Sequence, residues 1–512
     1  MNAAFRQLCL SRTREDMLQR ISDWILNVDD QEPNVLWLHG LAGSGKSTIA
    51  ATISKQFGSI PSQRSGAFLF FERERSVRES VVRTIAAQLA SSNHILRLEI
   101  SESINKYGED IVRRDVDVQF EHLINIPLQK ASERLGGPLL IVIDALDEYG
   151  DEYARRHLLE LIVTKLTKLP PCSKVLVTSR PETDIVARLS NNPNIKTVPL
   201  DAGEDTIPAI RLYLAFEMDS IHRNKQMDSV WPIQADLDRI STMSGGLFVW
   251  ASTLSRLLHT SPNPTKRLDQ ILSLDGSTFH RGLDALYENV LSTQLGWEDE
   301  HDIVQFREVA GVILFCKIPL SDVLIDQLLG RPAEDSCRRI FLQLGSVFDF
   351  TPGWPIRPVH ASFRDYLTDE RRSEGKPWSL VGFDAYYHIA ERCFTLMFKQ
   401  LRFNICDFIS SYDKNENCPN MEQKIATNIP PSLHYACRYG LEHLLEIDES
   451  RFPNDLEGIL ETFLGKKLLS WAEVLSVTGD GWYIDSALKR HNIRHVPFVG
   501  LPSMFSFRVT KY

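Results

Sequence analysis

The segment GLAGSGKST at residues 40–48 follows an apolar run, NVLWLH, and precedes a stretch in which Ile49, Ile53 and Phe57 recur at a spacing of four. So glycine-rich a turn between a strand and a helix leaves few options for the fold. Gly40, Gly43 and Gly45 let successive backbone N–H groups curl round an anion with no side chain in the way. The helix that opens at Lys46 turns its positive dipole end to the same point. The pattern is the Walker A loop, G-x-x-x-x-G-K-S, filled by Gly40, Gly45, Lys46 and Ser47. It predicts a nucleoside triphosphate held by the backbone of Gly40, Gly43, Ser44, Gly45 and Thr48. Lys46 would reach the outer phosphates, and the Ser47 hydroxyl would bind Mg2+.

The rest of residues 34–200 supplies a sheet for this loop. Five apolar runs, NVLWLHG, GAFLFFE, PLLIVIDAL, SKVLVTS and IKTVPL, alternate with helical patterns such as Val82, Ile85, Ala86 and Leu89, or Leu96, Ile100 and Ile104. Strands rich in Val, Ile and Leu between amphipathic helices predict an α/β P-loop NTPase domain, a parallel five-stranded sheet with helices on both faces. PLLIVIDALDEYG ends its strand at Asp144, a Walker B position from which a carboxylate would hold the magnesium shell through water. Of the next two acids, Glu148 is read as the base for the attacking water and Asp147 as its helper at the metal; these roles are interchangeable in sequence. KVLVTSRPE places Arg180 at the tip of the following strand, where a guanidinium fork suits a γ-phosphate. The competing reading for Arg180 is a solvated side chain before a proline turn.

After Leu200 the texture becomes helical. AIRLYLAFEM, LFVWASTLSRLL, LDALYENVL and FREVAGVILF all show three-to-four spacing of apolar residues. The stretch 345–359, GSVFDFTPGWPIRPV, interrupts them with the pattern of a small hairpin, and helices resume to about Arg490. No 18–20-residue apolar segment appears, which argues against a membrane span. The start has no signal-peptide core, and the eight cysteines are scattered singly, so reduced thiols in the cytoplasm are expected. His434, Cys437 and His443 are the nearest thing to a metal cluster, but their spacing already fits a helix face. The net charge of −10 argues against a generic grip on nucleic acid. No repeat of 20–50 residues is present.

Taken together, these motifs resemble the NACHT family of signal-transducing NTPases (STAND class, NLR-like), especially its fungal form. CLSRTREDMLQRISDW is similar to the family's lead-in, which implies that Thr13 and Arg14 embrace the base. FLFFERERS and VVRTIAAQLA resemble the second strand and its helix, and IDALDE and VTSRPE the acidic and sensor motifs. SGGLFVWASTLSRLL resembles the helical segment after the core, with Phe248 where relatives often carry a base-touching proline. LDALYENVL and PVHASFRDYLTD resemble the winged-helix region; PPSLHYACRYGLEHL and FLGKKLLSWAEVLSVTG resemble the helical domain that follows.

The resemblance implies a lead-in at 1–30, a NACHT NTPase domain at 31–200, a helical domain at 201–275, a winged-helix-like domain at 276–372, a second helical domain at 373–485 and a tail at 486–512. It also implies that His360 contacts the β-phosphate of a bound diphosphate and holds a resting state, although Ala361 replaces the acid found in plant and animal relatives. The expected ligands are ATP or GTP, exchanged for ADP or its guanine counterpart, with Mg2+. The expected behaviour is a switch that self-associates on activation, reset by slow hydrolysis, in fungal non-self recognition or programmed cell death. A turning-over NTPase and a helical scaffold with a vestigial site are the alternatives. Effector and repeat domains usual in the family are expected to be missing, as in a truncated member. The tail, without acids or helical periodicity after Asp485, reads as either a disordered end or the aberrant terminus of a truncated gene.

Overall fold

The computed structural model describes residues 8–29, 31–58, 66–71, 81–150, 152–200, 206–227, 231–273, 279–381, 385–408, 418, 420–447 and 454–490. Residues 72–76 of the FLFFERERS segment and residues 491–512 of the tail lie outside them. The five apolar runs are five strands, β1 (Val35–His39), β2 (Gly66–Phe70), β3 (Leu139–Asp144), β4 (Ser173–Ser179) and β5 (Ile195–Pro199). Every pairing is parallel, in the order β2-β3-β4-β1-β5. This is the expected P-loop NTPase fold. Because β1 lies inside the sheet between β4 and β5, the loop after it opens beside the tip of β4, with β3 next along.

Register sets which side chains share a face. Leu38 pairs with Thr178, and Ile143 pairs with Val177, so Asp144 falls one residue further on, in the row of Thr178. Alternation then sends Leu36, Leu38, Val142, Leu176 and Val198 to one side, where Ile21, Trp24, Ile49, Ile53 and Phe57 cover them. These come from the helices Glu15–Leu26 and Lys46–Gly58. Val35, Trp37, Ile141, Ile143, Val175 and Val177 face the other way, against Val82, Ile85, Leu89, Leu158 and Ile162. Burial on both faces explains why the strands read as continuous apolar runs.

Beyond β5 come the helices Ile207–Asn224, Gln234–Met243, Phe248–Thr260, Pro264–Leu272, Phe279–Gln294 and Glu300–Phe315. The chain forms two compact units. One comprises Met1–Val290 with His360–Ser362, and the other Leu291–Val359 with Phe363–Tyr512. In the second, the expected hairpin is present as β6 (Phe348–Asp349) and β7 (Arg357–Pro358), paired antiparallel. Phe348 packs edge-on against Phe341 and Phe363.

In the helices Ala385–Gln400 and Pro431–Leu444, a β-carbon added at Gly440 would stand 3.1 Å from Cys393 Cβ. His434 bonds Asp480 at 2.7 Å, His443 bonds the Tyr435 hydroxyl at 2.8 Å, and the Cys437 carbonyl accepts from Trp471. The three residues therefore serve separate contacts along their helix, and no metal-holding group occurs among the described residues. The last described helix, Trp482–Arg490, ends where the helical texture was expected to stop, and it crosses the boundary drawn after Asp485. Tyr483 and Ala487, four apart, are both buried, and Tyr483 meets Trp471.

One polar group in the first unit is poorly provided for. Lys174, on β4, is fully buried; its ammonium lies 5.6 Å over the Trp24 ring and has no hydrogen-bond partner among the described residues. Burial pushes its pKa below the ordinary lysine value. Buried charge replaced by an apolar group of similar volume is often stabilising. Lys174→Met is therefore expected to raise the thermal unfolding midpoint by roughly 2 °C, a shift that about 1 kcal/mol produces in a unit of this size. A lower midpoint in a calorimetric scan would show that the amine is better served than its contacts indicate.

Candidate functional site

The phosphate loop is shaped by what cannot fit in it. Gly43 and Gly45 have φ of 79° and 97°, a region that strains any residue with a β-carbon. A β-carbon at Gly43 would also lie 2.2 Å from Val249 Cγ1, and one at Gly40 would lie 2.3 Å from the Leu200 carbonyl oxygen. The loop thus threads between the end of β5 and the first turn of the helix Phe248–Thr260. There the Val249 N–H donates to the Gly43 carbonyl at 3.2 Å.

Lys46 is nearly buried, and its Nζ donates to the carbonyls of Gly40 and Leu41, each at 2.8 Å. Burial lowers its pKa to about 8, against the opposing pull of Asp147, Asp144 and Glu148, while Arg180 pushes it down further. Asp144, Asp147, Glu148 and Arg180, all picked from sequence, therefore lie near enough to act on Lys46 at the carboxyl edge of the sheet. Ser47 and Thr48 are half-buried at the start of the helix Lys46–Gly58. Ser44 is fully buried and its hydroxyl lacks a hydrogen-bond partner among the described residues. A cradle that excludes β-carbons, an unpartnered hydroxyl and a buried ammonium together fit a phosphate group. The hydroxyl of Ser47 and the carboxylate of Asp144 are the hard oxygen donors that magnesium takes.

On the acidic side, Asp144 is fully buried at the end of β3. The Thr178 hydroxyl donates to its Oδ1 and accepts from the Ala145 N–H at 3.1 Å. Ala145 itself sits at φ 58°, a left-handed conformation that costs an alanine about 1–2 kcal/mol. The kink turns the chain sharply into the short helix Leu146–Glu148 and brings Asp147 round to Arg180. Asp147 Oδ1 accepts from the Arg180 backbone N–H at 2.9 Å, and its Oδ2 is 3.3 Å from Arg180 Nε. Two residues assigned to separate tasks are thus paired with each other. Glu148, beside them, is half-buried.

The lead-in residues differ in what they do. The Thr13 hydroxyl is buried and donates to the Leu10 carbonyl at 2.6 Å, within its own turn. Arg14 donates from Nη2 to the Ser44 carbonyl at 2.8 Å, and its guanidinium lies 5.2 Å over the Phe248 ring. His360 also reaches the loop: its Cε1 would be 3.7 Å from a β-carbon at Gly43.

Sequence reasoning gave no role to two contributors, Val249 and Thr178. Phe248 and Val249 flank the loop, and Thr178 holds both ends of the Asp144–Ala145 link. A Gly-Leu-Phe sequence and a polar residue at a strand tip were the available signals, yet neither says which loop it will face.

A protein-family model, Nephrocystin 3 N-terminal, matches residues 12–180. No curated protein matches the chain in sequence. Among solved structures, the chain is similar to a STAND protein with a tetratricopeptide repeat sensor from Pyrococcus horikoshii, at 10% identity and a TM-score of 0.47, with 96% of this chain and 57% of that one covered. The chain thus spans little more than half of that protein. It is also similar to a Walker-type ATPase of Pyrococcus abyssi (12% identity, TM-score 0.33, 71% and 99% covered). A third similar structure is Cdc6p from Pyrobaculum aerophilum (10% identity, TM-score 0.33, 76% and 97% covered).

Thr178→Val keeps the shape of the side chain and removes the hydroxyl that serves both Asp144 and Ala145. Taking that hydrogen bond from the buried Asp144 carboxylate and the half-buried Ala145 amide is expected to destabilise the first unit by about 1–3 kcal/mol. A urea unfolding midpoint equal to that of the unaltered protein would mean the hydroxyl does not hold the acidic loop in place.

Proposed function

We propose that the chain is a nucleoside-triphosphate-binding molecular switch of NACHT type, acting in the cytoplasm, in which the phosphate count of ATP or GTP controls a closed-to-open change and self-association. The observation that carries this reading is His360 standing against Gly43 of the phosphate loop. A loop used only for binding has no need of a contact from a residue 317 positions along the chain, the difference between 360 and 43.

In this reading the backbone of residues 40–48 cradles the phosphates, Lys46 leaves the loop carbonyls for the outer phosphates, and Ser44 offers its hydroxyl. Magnesium, held by Ser47 and through water by Asp144, would neutralise phosphate charge. Asp147 is committed to Arg180, which supports Glu148 as the base that orients the attacking water. Arg14, Thr13 and Phe248 border the place for the base. Arg180 and His360 then report the γ- and β-phosphates respectively.

Magnitudes constrain the switch. One hydrogen bond to a charged phosphate is worth about 1.5–3 kcal/mol, a shift of about 10- to 150-fold. Inverting a two-state equilibrium from 1:99 to 99:1 takes about 10⁴-fold. His360 alone is too weak, so the Asp147–Arg180 pair and the contact of Val249 with Gly43 must change with it. The helices and hairpin of 300–368 support a winged-helix region, and the resemblance extends the reading to signalling in fungal non-self recognition or programmed cell death.

Chromatography of nucleotide released from the denatured protein tests the site directly. Stoichiometric nucleotide is expected from the unaltered chain and none from Lys46→Ala; an empty unaltered protein would favour a helical scaffold instead. Glu148→Gln is expected to retain nucleotide and to lose phosphate release by about 10²–10⁴-fold. Size-exclusion chromatography tests the switch. Triphosphate should enlarge the assembly, and His360→Ala should do so without exchange; monomers throughout would overturn the switch reading.

A further inference from the structure

Tyr287 lies in the segment LDALYENVL, which the nucleotide site as described does not use. Its hydroxyl is 2.8 Å from Ser362 Oγ, and that oxygen is 2.7 Å from His360 Nδ1. The backbone N–H of Ser362 donates to the same Nδ1 at 3.1 Å. Both Tyr287 and Ser362 are buried. These contacts belong to one compact unit, which holds His360–Ser362 together with the chain up to Val290.

The donor rules leave one consistent arrangement for a neutral ring. A backbone N–H can only donate, so Nδ1 accepts and carries no proton. The ring proton is then on Nε2. The hydroxyls complete a chain in one direction: Tyr287 donates to Ser362 Oγ, and Ser362 donates to Nδ1. His360 Cε1, the carbon between the two ring nitrogens, is the His360 atom that would stand 3.7 Å from a β-carbon at Gly43. With Nδ1 given to Ser362, Nε2–H is the ring donor that a bound anion at the loop would have to engage. The same Nδ1 contact caps the first turn of the helix Ala361–Thr368, so ring orientation and helix start are one feature.

We propose that Ser362 and Tyr287 are positioning residues, whose hydrogen-bond chain holds His360 in the Nε2–H tautomer beside the phosphate loop so that it donates to a bound nucleoside diphosphate. Through Tyr287 the chain ties that contact to the helix Phe279–Gln294. The proposal rests on the nucleotide-switch reading and adds the device by which the histidine is set. A purely structural serine would steady the fold without distinguishing diphosphate from triphosphate; a tautomer-setting serine distinguishes them.

The test uses the full chain and the fluorescent analogues mant-ADP and mant-ATPγS. Ser362→Ala and Tyr287→Phe are expected to release mant-ADP about 5-fold faster, as the loss of one buried hydrogen bond implies, while mant-ATPγS release changes less than about 2-fold. Ser362→Thr, which keeps the hydroxyl, is expected to restore slow mant-ADP release. In ¹⁵N-histidine spectra, the signals lost in His360→Gln should show an unprotonated Nδ1 and a protonated Nε2, and Ser362→Ala should mix the two tautomers. Unchanged mant-ADP release in both variants, equal acceleration of both nucleotides, or an Nδ1–H ring in the unaltered protein would each overturn the proposal alone. An unaltered protein that binds neither analogue overturns the nucleotide reading itself, and the proposal with it.

Discussion

The phosphate loop runs through a gap with no room for a β-carbon, and most of the site follows from that. At Gly43 the backbone passes so near Val249 that a methyl group would overlap Cγ1 at 2.2 Å. The close approach is what allows the Val249 N–H to reach the Gly43 carbonyl, and Arg14 donates to the carbonyl of the next residue, Ser44. His360 arrives at the same glycine. A turn of a few residues thereby becomes the point where the lead-in, a helix from beyond the sheet and a distant histidine all meet. Packed interiors do not deform continuously, so a ligand that moves this turn must be felt at each of those contacts.

Charge is distributed round the turn so that each group already has a use for its neighbour. Lys46 is held by loop carbonyls and, being buried, has its pKa lowered to about 8. Asp147 is held by both the backbone and the guanidinium of Arg180. Removing one member of a buried pair is strongly destabilising because the other is left unpaired. An anion that draws Arg180 or Lys46 away must therefore offer enough charge of its own to offset the broken contact. A group with too few negative oxygens cannot do so, which in the proposed switch would be the basis for telling phosphates apart.

Support for these charges comes from neutral residues that carry no sign of their role. Thr178 fixes the carboxylate of Asp144 and the amide of Ala145 at once, and the left-handed Ala145 turns the chain so that Asp147 faces β4. The strain stored at Ala145 is tolerated because the strand before it is buried throughout and the contacts after it are made by Arg180. Ser362 and Tyr287 stand in the same relation to His360. In each case a hydroxyl can donate once and accept once, which suits it to linking two groups in a fixed order.

What the sequence determined by itself was whatever depends on neighbours along the chain. The loop, its following helix, the five strands and the acids at the end of β3 were all legible, because strand alternation, helical spacing and the Gly-x-x-x-x-Gly-Lys-Ser order act over a few residues. The hairpin at 345–359 and the helical texture running to about Arg490 were legible for the same reason. The strand order, the union of Asp147 with Arg180, the place of Phe248 and Val249 beside the loop, and the link from Tyr287 through Ser362 to His360 were decided only by the tertiary structure. Residues such as Tyr287 and Ser362, 75 positions apart, share no local pattern that could announce a contact. Their meeting is fixed by how helices pack, a property of the whole unit that no short stretch of sequence contains.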